Sequence, residues 1–457
     1  LSFSIGFVGS TFFSERSFTD EETHPFFWGF MKCEESTMVQ LDYGTSGISL
    51  DLEGLNATVL RPRYVHGLPD EHTSFLESVR NPYHSLPLRE LISDDETLAI
   101  VIPDITRALP SDRLLTWLFE ELPHVSPENV TIIVGTGTHR ANTYAELCQM
   151  VGPDIADRYQ IVNHDSRNIN TLIKAGQSPY GYDVWYTSEY VLADRRILMG
   201  FIEPHFMAGF SGGYKAAFPG IADLNAIQSY HGFANIAHPK STWGVLEDNP
   251  TQDHIRSAAT LLPTDFLINV TLNTNRQITG YFCGEVASAH HAGCMFSKET
   301  AMIQVEEPFP IVITTNSGYP LDLNLYQSVK GMSAAYSITA QDGLIITASR
   351  CNDGFPEHGA FKDQLLRWAS PKEAWEAIRD PNFREPDQWQ TQKLLQILQT
   401  CRISLLSELD PSLVRKSHLT PIQDLRKAID QELDRLQCPN VPIAVVPEGP
   451  LTIPYVR

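Results

Sequence analysis

The chain has 457 residues, with 34 Lys plus Arg against 55 Asp plus Glu and a formal net charge of −21. It is long enough for two α/β-sized domains, and with neither a basic stripe nor a Lys/Arg-rich tail it is too acidic for nucleic acid or an anionic membrane to be its main partner. Its seven cysteines form no CxxC pair and no apolar run reaches the roughly 18 residues of a transmembrane helix, so reduced thiols and a cytoplasmic location are expected.

Residues 1–37 are aromatic and Ser-rich without helical or strand period. They read as an N-terminal extension, disordered or non-native, because a cleaner segment begins at Met38 and no basic n-region marks a signal peptide. From there short β-rich runs recur at 97–102, 130–134, 197–202, 311–314 and 344–348, each followed by a polar loop and a helical pattern. Helices are predicted at 111–122, 143–151, 222–234, 286–305, 323–335, 374–379, 389–399 and 421–436. This βα alternation predicts largely parallel or mixed sheets in an α/β fold. The Pro-bearing acidic break at 306–310 separates an N-terminal α/β domain, 38–305, from a C-terminal one, 306–457. The active site is expected in the cleft between them.

Ligands of open α/β sheets bind beyond the carboxyl ends of the strands, and the residues just after these runs are rich in chemistry: Asp104, Thr106 and Arg107; the run Gly135-Thr136-Gly137-Thr138-His139-Arg140; Glu203-Pro204-His205; and Asn316-Ser317-Gly318-Tyr319. Two glycine patterns invite a nucleotide reading and both fail in detail. Arg140 stands where a dinucleotide fingerprint needs its third glycine, and in Gly209-Phe210-Ser211-Gly212-Gly213-Tyr214-Lys215-Ala216 the P-loop Gly-Lys pair is split by Tyr214 and Ala216 replaces the Mg²⁺-binding hydroxyl residue. A flexible loop remains whose backbone can approach a phosphate, with a lysine just beyond. A zinc reading of Cys283, His290, His291 and Cys294 lacks zinc-finger spacing.

The stretch from Gly200 to Gly220, with Glu203-Pro204-His205-Phe206-Met207-Ala208-Gly209-Phe210-Ser211-Gly212-Gly213-Tyr214-Lys215 at its centre, resembles the signature of the lactate racemase family. The likeness continues through Asp104-Ile105-Thr106-Arg107, Gly137-Thr138-His139-Arg140, Asn316 to Asp322, Tyr326 to Met332 and Pro386-Asp387-Gln388-Trp389, from about Met38 to the C-terminus.

The resemblance implies a racemase or epimerase acting at C2 of a 2-hydroxycarboxylate, lactate by default. It implies reversible hydride transfer to a nickel-pincer pyridinium mononucleotide, the nickel-pincer nucleotide, through a 2-keto acid. Hydride chemistry suits such a substrate, because removing the Cα proton beside an ionised carboxylate would form a costly dianion. Lys215 matches the covalent tether and His231 the nickel ligand, with Thr106, Gly212 and Gly213 expected around the cofactor. His139 and His205 match the paired acid/base residues, a task suited to a side chain whose reference pKa is about 6.5. Arg107 and Lys330 match substrate-binding cations, and Tyr326, Gln327 and Trp389 match further residues of that pocket. Asp104 either orients His139 or contacts the cofactor. Phe206, Met207 and Trp389 suggest an apolar wall for a small side chain. The partners implied are a small hydroxyacid and the proteins that build and install the cofactor. The alternatives are a non-catalytic carrier or sensor of the cofactor or hydroxyacid, and a nicotinamide dehydrogenase, which the failed fingerprint disfavours.

Overall fold

In a computed structural model of the chain, residues 37–356 and 359–457 are described; the expected extension, 1–37, lies outside them but for Thr37. Two six-stranded sheets dominate. In the first, the strand order across the sheet is Ile278–Gly284, Phe266–Leu272, Arg195–Phe201, Leu98–Pro103, Val130–Gly135 and Gln160–Asn163, with Ile278–Gly284 antiparallel and the rest parallel. The second sheet runs Thr420–Ile422, Arg402–Leu406, Thr339–Ala348, Phe309–Thr315, Ile443–Val446 and Ala57–Val59, parallel throughout. This is the expected α/β class with parallel and mixed sheets.

The central strands form because their sequences are continuous apolar runs, suited to burial on both faces of a parallel sheet. Leu98, Ala99, Ile100, Val101 and Ile102 are all buried, as are Ile311, Val312 and Ile313. Each sheet carries one apolar cluster on either face. Ile100, Ile132, Leu114 and Phe266 share one cluster and Val101, Ile133, Leu198 and Phe218 the other; Val312, Met332 and Leu394 stand opposite Ile313, Ile346 and Ile429.

Several elements depart from the sequence expectation. The helix predicted at 222–234 is two helices, Leu224–Tyr230 and Phe233–Ala237, with His231 as the C-cap of the first and Gly232 opening the second. The helix predicted to 305 stops at Ala301, and Met302–Val305 becomes a strand paired in parallel with Ile453–Val456. That pairing overrides local propensity. The first strands after Met38 also lie away from the first sheet: Ala57–Val59 is hydrogen-bonded to Ile443–Val446, and Val39, Leu41 and Leu50 pack with Ile311 and Val445. Ala57–Val59 thus joins the second sheet, and Met38–Leu41 with Ile48–Asp51 forms a separate two-stranded sheet packed against it.

Candidate active site

Three neighbouring parallel strands of the first sheet end at one place. Asp104 follows Leu98–Pro103, His139 follows Val130–Gly135, and Glu203 and His205 follow Arg195–Phe201. The sequence keeps these turns tight. Gly137 adopts φ +57° and donates its N–H to the Gly220 carbonyl at 2.9 Å, docking the His139 loop on the Lys215 segment. His139 Nδ1 lies 2.6 Å from Asp104 Oδ2, and the other carboxylate oxygen of Asp104 accepts the Thr106 N–H at 2.9 Å and hydroxyl at 2.5 Å. Burial pushes the Asp104 carboxyl upward, but the hydrogen bond and charge of His139, with Thr106 and Arg107, outweigh it and hold the group below its usual range. Asp104 thus orients His139, which leaves Nε2 on an imidazole that is 44% exposed. Thr106 serves Asp104.

His205 is set differently. It sits in a short antiparallel pair with Gly209, and its Nδ1 accepts the backbone N–H groups of Met207 at 3.2 Å and Ala208 at 3.1 Å. An Nδ1 that accepts carries no proton, so the neutral ring presents Nε2–H. Burial, then the charges of Lys215, Lys330, Arg107 and His231, hold its pKa well below the ordinary histidine value. Two buried amides brace this loop: Asn249 donates to the Met207 and Val245 carbonyls, both at 2.9 Å, and Gln252 donates to the Ala208 carbonyl at 2.7 Å. Phe206 and Met207 are buried with Ile236, Trp243 and Trp389 in one apolar cluster.

Lys215 lies in the 3₁₀ turn Gly213–Ala216. Burial, followed by repulsion from Arg107 and Lys330 and opposed by Glu203, pushes its ammonium down to about 7. An amine at that value is substantially neutral and nucleophilic near neutral pH. The glycines before it have a packing duty. Gly212 and Gly213 take φ of +79° and +55°, and a Cβ would stand 2.5 Å from Asn269 Oδ1 at the first and 2.6 Å from the His290 ring at the second. The Gly213 N–H is donated to Asn269 Oδ1 at 2.8 Å, so that amide is already engaged. Asn269 itself is fully buried in its strand.

His231 is buried, and its Nδ1 donates to the Ile227 carbonyl at 2.9 Å, leaving the Nε2 lone pair free. Burial, with Lys215 nearby and the Ile227 hydrogen bond opposing, pushes its pKa down to about 3. A neutral imidazole with its second nitrogen tied to a carbonyl is the form that ligates a metal. The His231 ring stacks on Trp389 with centroids 4.2 Å apart and planes at 23°.

The second sheet brings the remaining cations. Asn324 caps the helix Leu325–Tyr336 by accepting the Gln327 N–H at 3.1 Å, and this helix carries Tyr326, Gln327 and Lys330 past the end of the strand Phe309–Thr315. Close approach is secured at Gly331, where a Cβ would meet the Thr315 carbonyl oxygen at 2.0 Å and whose N–H donates to Asn316 Oδ1 at 2.9 Å. Burial and Arg107, opposed by Glu203, push the Lys330 ammonium down to about 8. Trp389 stands beside Tyr326, where it opposes the upward push of burial on the Tyr326 hydroxyl. For Gln327 the structure shows its backbone capping contact alone.

Glu203 is the residue whose part the sequence reading missed. Burial raises its carboxyl while Arg107, Lys330 and Lys215 draw it back down, so it is an acidic group set among those three cations. Its place two residues before His205, directly after a buried strand, was the only signal. The zinc alternative brings together only two of its four residues: Cys294 Sγ lies 3.3 Å from His290 Nε2, and no group of three or more metal-binding side chains occurs among the described residues. Of the six described cysteines none is in a disulfide, and no described helix is long and apolar enough to cross a membrane.

Residues 43–244 match the model of the lactate racemase N-terminal domain and residues 305–453 that of the lactate racemase C-terminal domain. The chain is 35% identical over 391 residues to a lactate racemase of Lactiplantibacillus plantarum, covering 84% of this chain and 91% of that protein. It is 33% identical over 423 residues to one of Thermoanaerobacterium thermosaccharolyticum, covering 90% and 97%. The solved apoprotein of lactate racemase from T. thermosaccharolyticum superposes with a TM-score of 0.85 at 32% identity, over 92% of this chain and all of the other.

Proposed function

Because this chain belongs to the lactate racemase family and is therefore an isomerase, we propose that it interconverts the two stereoisomers at C2 of a short 2-hydroxycarboxylate, lactate by default. The observation that carries this reading is the pair of unlike histidines beside the cations. His139, backed by the Asp104 carboxylate, turns a basic Nε2 outward, whereas His205, backed by two amide N–H groups, offers Nε2–H as a donor. Inversion needs one group to take the hydroxyl proton and another to give a proton back on the opposite face.

The family implies nickel, and the residues present fit a nickel-pincer nucleotide. Lys215 supplies an unpaired amine for its tether and His231 a free Nε2 for the metal; Gly212 and Gly213 turn the chain so that the lysine enters the site. When bound, that group supplies the hydride acceptor and donor. The side chains of the protein do the rest. Arg107 and Lys330 hold the carboxylate, the planar guanidinium through two hydrogen bonds and the ammonium as a point charge. His139 accepts the hydroxyl proton, with Asp104 stabilising the imidazolium that forms, as in other carboxylate-backed histidines. His205 donates an Nε2–H hydrogen bond to the oxygen of the planar 2-keto acid, and to hand a proton over it must first be protonated at Nδ1, since a neutral ring that lost Nε2–H would be left an imidazolate; Trp389 closes the cleft over the substrate. Glu203 keeps the three cations from repelling one another so strongly that none binds substrate.

In either direction the Nδ1 of His205 must therefore release the amides of Met207 and Ala208, as proton donor through the imidazolium and, for the opposite enantiomer, as base through the Nδ1–H tautomer. The equilibrium constant between enantiomers is unity, so kcat/KM must match in both directions; the inequality is expected in kcat and KM separately. The proposal is tested with nickel-loaded full-length protein on a panel of 2-hydroxyacids followed by chiral analysis. Turnover of a short member, its loss in His139→Ala, and an intact-mass increment retained on Lys215 are expected. No turnover of any member would overturn it, as would binding of a hydroxyacid unaltered in His139→Ala without racemisation by the parent, which is the behaviour of a sensor.

A further inference from the structure

A second cationic pocket lies apart from the residues described above. Lys393, on the helix Gln388–Leu398, is only 5% exposed, and no carboxylate salt-bridges it among the described residues. Its Nζ donates to the Ser241 carbonyl at 2.8 Å and approaches Gln396 Oε1 at 3.4 Å, leaving one N–H of the ammonium without a protein acceptor. It borders a cavity of about 300 Å³, also lined by His238, Thr242, Ser333, Tyr336 and Gln396 and by no Asp or Glu among the described residues.

The polar atoms of this wall are biased toward donation. The Tyr336 hydroxyl accepts from Thr400 at 3.3 Å and the Ser333 hydroxyl accepts from the Trp243 indole at 3.1 Å, so each keeps its own hydrogen for another partner. His238, at the rim, accepts the Lys240 N–H on Nδ1 at 3.2 Å, which places the proton of its neutral ring on Nε2. A buried ammonium lacking a carboxylate is costly, and burial alone pushes this one down to about 7. Such a wall is complementary to negative oxygen.

We propose that this cavity binds a small oxyanion, carboxylate or phosphate, held by the Lys393 ammonium and the Tyr336 and Ser333 hydroxyls. The bound anion completes the coordination of Lys393 and ties the loop at 238–242, which follows the helix after His231, to the helix that carries Trp389 one turn before Lys393. It is a site of its own, with no residue in common with the proposed substrate pocket.

The test is isothermal titration of full-length apoprotein carrying Arg107→Ala, which weakens the other carboxylate pocket, with inorganic phosphate and, separately, acetate. One or both anions are expected to bind with an equivalent that weakens at least about tenfold in Lys393→Met and about tenfold in Tyr336→Phe, the size of one lost hydrogen bond to a charged group. Phosphate alone would identify a phosphoryl ligand, acetate alone a carboxylate, and both a general oxyanion site. Tyr336→Phe removes one oxygen from a half-buried ring and keeps the experiment decisive should Lys393→Met fail to fold. Absence of binding by either anion, or binding equal in the parent and in Tyr336→Phe, would overturn the proposal.

Discussion

His139 and His205 are the same residue type given different chemistry by what touches Nδ1. A carboxylate behind one makes it a base; two amide N–H groups behind the other make it a donor. Replacing Asp104 with Asn removes the charge and keeps the shape, and steady-state assay of the loaded enzyme should show kcat lower by about 10²–10⁴-fold, the scale of general base catalysis, with KM little changed. For His205, ¹⁵N NMR of histidine-labelled apoprotein at neutral pH should show the neutral Nε2–H form and no titration through pH 6.5; a ring charged at pH 6 would contradict the assigned cause, burial among the cations Lys215, Lys330 and Arg107. Much at this scale was legible in the sequence, because a titratable residue directly after an apolar run sits where strands of an α/β sheet end. Asn249, Gln252 and Asn269 were not legible. Each acts on a loop distant in sequence, and a polar residue carries no mark of the carbonyl or amide it will meet.

The elements show the same division. The βα rhythm of 98–103, 130–135 and 309–315 could be read because both faces of these strands are buried and their apolar runs are unbroken. The strands Ala57–Val59 and Met302–Val305 could not, since each is short and exists through its partner, Ile443–Val446 or Ile453–Val456. The glycine loop before Lys215 was read as a way in for a phosphate, and the structure gives its glycines a further reason to be glycine. Gly213→Ala would force a Cβ to 2.6 Å from the His290 ring at φ +55°. A loss of about 1–3 kcal/mol is expected, read as a lowered Tm of the apoprotein; an unchanged Tm would mean that the His290 ring moves aside freely.

Across the whole molecule the buried histidines and lysines lean one way. His164, His205, His231 and His290 all have pKa values held below the ordinary histidine range, three of them at about 3 to 4, chiefly by burial. Each binds its proton more readily when unfolded, so below pH 6.5 the unfolded chain takes up protons the native protein refuses, and stability falls. Lys215 and Lys393 at about 7 and Lys330 at about 8 extend the trend upward from about pH 7, where the unfolded lysines hold protons that the native ones release, until near pH 9 the buried thiols of Cys283, Cys294, Cys351 and Cys401 and the buried Tyr190, all raised by burial, oppose it. Asp42, Glu203 and Asp223, with raised values, oppose it only near the carboxylate range. Calorimetry of the apoprotein between pH 5 and 8 should therefore give a Tm that climbs with pH, and His164→Gln should flatten the acid side.

The stacking of His231 on Trp389 joins a residue that follows the first sheet to one carried with the second. On the proposed function, in which Lys215 holds the cofactor, this contact governs how quickly that group can be loaded. Delivery to the lysine has to pass this stacked pair, and the pair then shields the bound group from solvent. Trp389→Ala should load faster and lose its nickel faster to a chelator, which makes this one ring contact a setting for the lifetime of the active enzyme.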